Sequence, residues 1–314
     1  MSRFCRNFTK LSKKDISIAG GKGASLGELI NSGIKVPPGL IITAEAFDYF
    51  LKNKDTYIDI ETQLAKVNYS DINSVDRYSN VIRDIINDTP IPADLKKEII
   101  SEFKKLKTKF VAIRSSATAE DSNVASWAGE LETYLNTTEK TLLKNVKKCW
   151  SSLFTPRAIF YRKEKNLIDA QVSVAVVVQE MVESEISGIC FTVHPVTQNK
   201  NQMIIEAGWG LGEAIVSGSI TPDSYVIDKR DWSMVDINIA KQEKQIVRCL
   251  RKGVKWTPVL KNKQDKQKLN GRQILELAKI CVRIEKHYKK PQDIEWALKN
   301  NKFYIVQSRP ITTL

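Results

Sequence analysis

The sequence contains only two histidines, His194 and His287, and neither is spaced with a serine or cysteine that would mark a nucleophilic pair. Both read as structural residues. The five cysteines, Cys5, Cys149, Cys190, Cys249 and Cys281, form no Cys-x-x-Cys pair. That excludes the usual zinc spacings, and an odd count argues against a disulfide framework. Such cysteine usage points to a reducing cytoplasm. No apolar run approaches the roughly 20 residues that a membrane span needs. The start, Met1-Ser2-Arg3-Phe4-Cys5, has no apolar signal core, so no membrane partner is expected. The net charge is +13, yet the basic residues are scattered, as in Lys96-Lys97, Lys147-Lys148 and Lys289-Lys290. There is no arginine-rich arm and no basic tract interleaved with aromatics. A lysine-rich solvated surface is expected rather than a nucleic-acid partner. Repeats, low-complexity segments and long linkers are also missing.

With 314 residues and 42% hydrophobic residues, the chain can bury a real core, as one large domain or two lobes. A glycine-rich loop at Gly20-Gly21-Lys22-Gly23 leads into a short helix that Gly33 can stop. A strand follows Pro37-Pro38, and Thr43 is placed to cap a helix through Phe47, Phe50 and Leu51. Residues 55–109 read as helical with a break at Thr89-Pro90-Ile91-Pro92. The strand Phe110-Val111-Ala112-Ile113-Arg114 runs into the hydroxyl-rich loop Ser115 to Ser122. Residues 139–165 form one or two helices broken near Thr155-Pro156. The β-branched run Val172 to Gln179 reads as a buried strand. Further strands run from Gly188 to Val193 and from Met203 to Glu206. Asn270 and Gln273 form a capping box for a helix through Leu275, Leu277, Ile280 and Ile284.

Three segments invite a phosphate ligand. Gly20-Gly21-Lys22-Gly23 is not a Walker A element, because Gly23 rather than Ser or Thr follows the lysine. Small residues, a helix N-terminus and a lysine still suit an anion; the alternative is a plain turn. Gly208-x-Gly210-x-Gly212 has the wrong spacing for a dinucleotide fold. Arg114, at a strand end, could grip a phosphate with its planar fork or pair locally with Glu120 or Asp121.

The chain closes on a hairpin with polar residues where apolar ones would be expected: Asp293-Ile294-Glu295-Trp296-Ala297, then Tyr304-Ile305-Val306-Gln307-Ser308-Arg309. Alternation places Glu295 and Ala297 on one face, and Phe303, Ile305, Gln307 and Arg309 on one face of the second strand. A three-residue turn pairs Lys299 with Phe303 and sets Glu295 opposite Gln307 and Asp293 opposite Arg309, with Cβ atoms roughly 4.5–5.5 Å apart. A two-residue turn would send Gln307 to the other face. Oxygen ligands from Glu and Gln suit Mg²⁺ completed by water and phosphates; the alternative is a surface hairpin with incidental polar residues.

Taken together and in this order, four blocks carry a resemblance. They are Gly20 to Glu28, Arg114 to Asp121, Gly208 to Glu213, and Ile284 through Arg309-Pro310. Essentially the whole chain resembles the N-terminal ATP-binding region of phosphoenolpyruvate synthases, a family related to pyruvate phosphate dikinases and rifampin phosphotransferases. The resemblance implies an α+β, ATP-grasp-like fold with two lobes, residues 1–180 and 181–314, gripping ATP. It implies phosphate contacts at Lys22 and Arg114, and a loop over the nucleotide at Gly129 and Thr133. Gln179, Glu180 and Val182 would lie beside adenine, Glu295 and Gln307 would bind Mg²⁺, and Arg309 would meet the transferred phosphate.

There are two departures. The family often has glycine after Pro-x-Thr, whereas Gln198 follows Pro195-Val196-Thr197, which puts that turn's conformation in question. Family members also carry a swivelling domain with a phospho-accepting histidine and a pyruvate-binding barrel. Neither histidine here has that context, so the sequence is expected to be the ATP half of an ATP-dependent phosphotransferase. Two other roles compete: the ATP module of an antibiotic phosphotransferase, and a non-catalytic nucleotide-binding module.

Overall fold

The computed structural model describes residues 2–118, 132–165, 172–249 and 253–311. It is a mixed α+β chain that divides into two compact units. The first comprises Met1–Glu28 and Pro38–Met181, the second Leu29–Pro37 and Val182–Leu314. A single cut near residue 180 does not anticipate that residues 29–37 group with the second unit.

The first unit contains β1 (Cys5–Asn7), most of α1 (Ile16–Asn31), β2 (Gly39–Ile42), α2 (Ala44–Lys52), α3 (Thr56–Leu64), α4 (Ile72–Asp88), α5 (Ala93–Lys105), β3 (Val111–Ala117), β4 (Thr133–Thr137), α6 (Glu139–Ser151), α7 (Pro156–Glu164) and β5 (Val174–Glu180). The strands form an antiparallel sheet in the order β1-β2-β5-β3-β4. The apolar run of β5 sits at its centre and is buried on both faces. Val174, Val176 and Val178 pack with Phe47, Phe50, Ile82, Ile99 and Trp150 into the main core. At the opposite face lies α1: a Cβ at Gly23 would meet Ile41, and one at Gly20 would meet Ser116.

Several local readings change. The helix starts at Ile16, and the expected glycine loop shrinks to one break, at Gly20 (φ 67°, ψ 174°). Only glycine takes that conformation without strain and also leaves room for Ser116. Gly33 (φ 75°) does end the helix, with Gly33 N–H donating to Ile30 O and Ile34 N–H to Leu29 O. Thr43 occupies the N-cap position of α2 without a side-chain cap bond. Ser115 and Ser116, expected in a loop, continue strand β3 opposite Val176 and Ala175. The break at Pro156 is as expected, with Pro156 in the first turn of α7 and Thr155 Oγ1 capping Ala158 N–H.

The second unit contains β6 (Ile186–Phe191), β7 (Gln202–Trp209), α8 (Glu213–Val216), β8 (Asp223–Asp228), β9 (Met234–Asn238), β10 (Lys244–Arg248), β11 (Val254–Pro258), α9 (Gly271–Tyr288), β12 (Gln292–Lys299) and β13 (Lys302–Pro310). Six strands form one sheet in the order β13-β12-β6-β7-β8-β9, and β10 and β11 form a separate hairpin. The capping box holds: Asn270 Oδ1 accepts from Gln273 N–H at 2.9 Å and Gln273 Oε1 from Asn270 N–H at 3.0 Å. The buried stripe of α9 is Ile274, Leu277, Ala278, Cys281 and Ile284; Leu275 and Ile280 lie at its margins. It packs against β7 and β12.

Candidate functional site

In the first unit, strand pairing determines which polar groups share a face. Arg6, Ile41, Val177, Arg114 and Thr133 form one cross-strand row. Gln179, two residues beyond Val177, points to the same side, which is the side of α1. Gly20 splits α1, so the stretch from Gly21 begins a new helical segment with Lys22 in its first turn. Gly23 N–H donates to Ser116 Oγ at 3.3 Å. The sequence-predicted Lys22, Arg114, Thr133 and Gln179 are therefore drawn to one side of one sheet. Gly129, and the alternative Arg114 partners Glu120 and Asp121, lie outside the described residues. Glu180 ends β5, where its N–H donates to Pro38 O at 2.7 Å; Val182 begins the second unit.

The terminal hairpin reaches the expected pairing by an unexpected route. Its turn has two residues, Asn300 and Asn301, both with positive φ (48° and 56°), so Lys299 pairs with Lys302. Such a turn alone would turn Gln307 away from Glu295. A β-bulge corrects it: Trp296 pairs with Ile305, Val306 is left over, and Glu295 pairs with Gln307. Phe303 and Ile305 consequently share the buried face with Leu298 and Trp296, and do not share a face with Gln307 and Arg309 as alternation alone suggested. Buried Ile305 and exposed-side Arg309 can then coexist on one strand.

The resulting polar row runs Gln307, Glu295, Ile189, Glu206 across β13, β12, β6 and β7. Beside it, Asp293 opposes Arg309, whose Nε and Nη2 donate to Asp293 Oδ2 at 2.9 and 2.7 Å. The guanidinium side chain remains 39% exposed. Burial raises the Asp293 carboxyl above its ordinary range, and Arg309 opposes that shift. Burial, and secondarily the charge of Asp293, also raise Glu206. Sequence reading gave Glu206 no role. No motif marks it, and only the strand order β12-β6-β7 sets it in this row. The two histidines stand outside both groups. His194 Nδ1 accepts from Val196 and Thr197 N–H at 3.3 and 3.2 Å, and His287 meets Tyr288 edge to face. Gln198 adopts φ 54°, the left-handed region where the family's glycine would be at ease.

Two tests bear on the implied ligands. Among the described residues, no three or more His, Cys, Asp or Glu side chains are grouped to hold a metal ion. One carboxylate and one amide nevertheless fit Mg²⁺, which takes few protein ligands and keeps water and phosphate oxygens. Gln179 is 2% exposed, and its Nε2 lacks a hydrogen-bond partner among the described residues, as a group awaiting a ligand would.

A family model described as "Pyruvate phosphate dikinase, AMP/ATP-binding domain" matches residues 16–314. The chain belongs to the pyruvate phosphate dikinase AMP/ATP-binding domain family. Its relatives include phosphoenolpyruvate synthases and a rifampicin phosphotransferase. A probable phosphoenolpyruvate synthase of Methanocaldococcus jannaschii is 44% identical over 99% of this chain and 27% of its own length. The phosphoenolpyruvate synthase of Pyrococcus furiosus is 41% identical over 99% of this chain and 44% of its own. The rifampicin phosphotransferase of Bacillus subtilis is 39% identical over 100% of this chain and 36% of its own. The chain thus spans less than half the length of these relatives. No helix among the described residues is long and apolar enough to cross a membrane.

Proposed function

We propose that this chain is the ATP-binding, phosphoryl-donating module of a phosphoenolpyruvate-synthase-type phosphotransferase acting in the cytoplasm. On this reading the fold is ATP-grasp-like, with lobes 1–180 and 181–314 on either side of Mg-ATP. The single observation that carries the reading is the pairing of Glu295 with Gln307 beside the Asp293–Arg309 ion pair, on the hairpin where the family resemblance expects the metal. Glu295 and Gln307 would hold Mg²⁺, whose charge, when bound, neutralises polyphosphate. Lys22 and Arg114 would neutralise phosphate oxygens, Arg309 would hold the phosphoryl group in transfer, and Asp293 would orient Arg309. Gly129 and Thr133 would cover the nucleotide, with Gln179, Glu180 and Val182 beside the base. Catalysis by such a set is positioning and charge stabilisation rather than covalent chemistry.

The acceptors would be a histidine on a swivelling domain and then pyruvate on a barrel. A second reading, with an antibiotic as final acceptor, is favoured by the rifampicin phosphotransferase relative, which matches the whole of this chain. Calorimetric titration with Mg²⁺ and a non-hydrolysable ATP analogue tests the shared core of both readings. Absence of heat and of a thermal shift at millimolar nucleotide refutes it. Radiolabelled ATP with a separate histidine domain from a related synthase tests the transfer. Label appearing on His194 or His287 and passing on to pyruvate would contradict the proposed division of labour.

A further inference from the structure

Strand β4 is poorly held by its own ladder. It is five residues long, lies at the sheet edge and pairs irregularly with β3. The irregularity falls where Asn136 takes φ 55°, between the pairs Val111–Thr137 and Ile113–Tyr134. Beyond it the ladder continues through Ile113–Tyr134 to Arg114–Thr133. Alternation puts Thr133 on the Arg114 face and sends Glu132 and Tyr134 to the other. On that other face Tyr134 packs against the main core, with Lys148 of α6 over its ring. There Arg83 of α4 meets the Glu132 carboxylate: its Nη2 donates to Oε1 at 2.8 Å, and Tyr134 OH donates to Oε2. Both charged side chains are partly buried, so salt screens this pair less than an exposed one. Burial, and next the bond to Glu132, raise the Tyr134 hydroxyl, so it stays a donor. The main chain of Glu132 is tied to β3 as well. Its carbonyl accepts from Ser115 N–H and from Ser115 Oγ, each at 3.2 Å, directly after Arg114. Glu132 thus joins α4 to both strands at the pair Arg114–Thr133.

We propose that Glu132, gripped by Arg83 and Tyr134, is a positioning residue that fixes Thr133 against Arg114 for nucleotide binding; the inference rests on the Mg-ATP reading above. The Glu132 carboxylate does not itself meet the ligand, because it is engaged by two donors on the face away from Arg114. It acts through the backbone of β4. An edge strand with an irregular ladder frays at its end, and the anchor holds that end in place before the ligand arrives. Ordering done in advance is removed from the cost of binding.

The test is a double-mutant cycle on the full 314-residue chain, titrated calorimetrically with Mg²⁺ and a non-hydrolysable ATP analogue. Thr133→Val removes the hydroxyl and should weaken binding about tenfold, the worth of one hydrogen bond to a charged group. Arg83→Met should weaken it by a similar factor, because it can lose no more than Thr133 supplies. The double variant should then be no worse than either single one, about tenfold rather than about a hundredfold. Arg83→Lys, which keeps the charge, should recover part of the loss. Tyr134→Phe keeps the ring in the core and repeats the cycle with less disturbance of the fold. Losses that multiply to about a hundredfold overturn the proposal and leave the cluster a purely structural one. Arg83→Met and Tyr134→Phe at wild-type affinity also overturn it. So does Thr133→Val at wild-type affinity, since nothing is then left to position. These results leave the nucleotide reading standing. Wild type that binds no Mg-ATP at all refutes that reading, and this inference with it.

Discussion

Lys268→Met should be severely destabilising, and the cost can be worked from one buried network. Lys268 Nζ donates to Asp223 Oδ1 at 2.7 Å and to Ala240 O, with both charged side chains fully buried. Asp223 Oδ1 also accepts from Ala240 N–H, and its Oδ2 accepts from Lys268 N–H and Tyr225 OH at 2.8 Å each. Together these bonds tie the start of β8 to the segment that leads into α9. Methionine keeps the apolar stem, so little cavity is made. What remains is a carboxylate without its countercharge and a carbonyl without its donor. Breaking a buried pair from one side costs about 3–5 kcal/mol. For a unit of this size that is a fall in Tm on the order of 10 °C. Differential scanning calorimetry of the full chain reports it. The double variant Lys268→Met with Asp223→Asn removes both charges and should recover a large part of the loss. A single variant within about 1 kcal/mol of wild type, the range of an exposed pair, would refute the reasoning.

Three further outcomes are expected. Glu206→Gln should raise the Tm of the apo protein at neutral pH. The folded carboxyl titrates above its ordinary value of 4.5, so its stabilising contribution is complete below that value and is lost as pH rises through the folded pKa. The variant's advantage should vanish below pH 4.5, and an advantage independent of pH would count against buried ionisation as its cause. Gln198→Gly should stabilise the second unit by about 0.5–1 kcal/mol, by relieving the left-handed backbone, and a loss in chemical denaturation would contradict that. Glu295→Ala should abolish the Mg²⁺ dependence of ATP-analogue binding while leaving the apo Tm within about 1 kcal/mol of wild type; magnesium dependence that survives would remove Glu295 from the metal site.

Local chemistry explains where sequence reading succeeded. Capping boxes, Pro156 at a helix start and Gly33 at a helix end act within a few residues, so they are visible in the chain itself. The apolar run of β5 is equally plain, because a central strand must be buried on both faces. Strands β9, β10 and β11 carry no alternating pattern and most of their residues are not buried, so no local run marks them, whereas β8 is buried but bounded by Asp223 and Asp228. The hairpin is the sharpest contrast. Asp293, Glu295, Gln307 and Arg309 are recognisable as unusual residues for a strand end. A three-residue turn predicts their pairing, whereas the actual turn has two residues and a bulge at Val306 restores the register.

The sequence by itself determined the residue types of the candidate site and the family they resemble, since those depend on identity and order. It also determined most helices and the central strands, through periodicity and caps. Only the tertiary structure decided which side each polar group takes. Burying Phe303 and Ile305 together with Trp296 and Leu298 forces the bulge, and the bulge delivers Gln307 to Glu295. Strand order likewise places Glu206 near Asp293, and the break at Gly20 sets Lys22 at the start of a helical segment on the Arg114 side of the sheet. These are consequences of long-range pairing, which no local run of residues encodes.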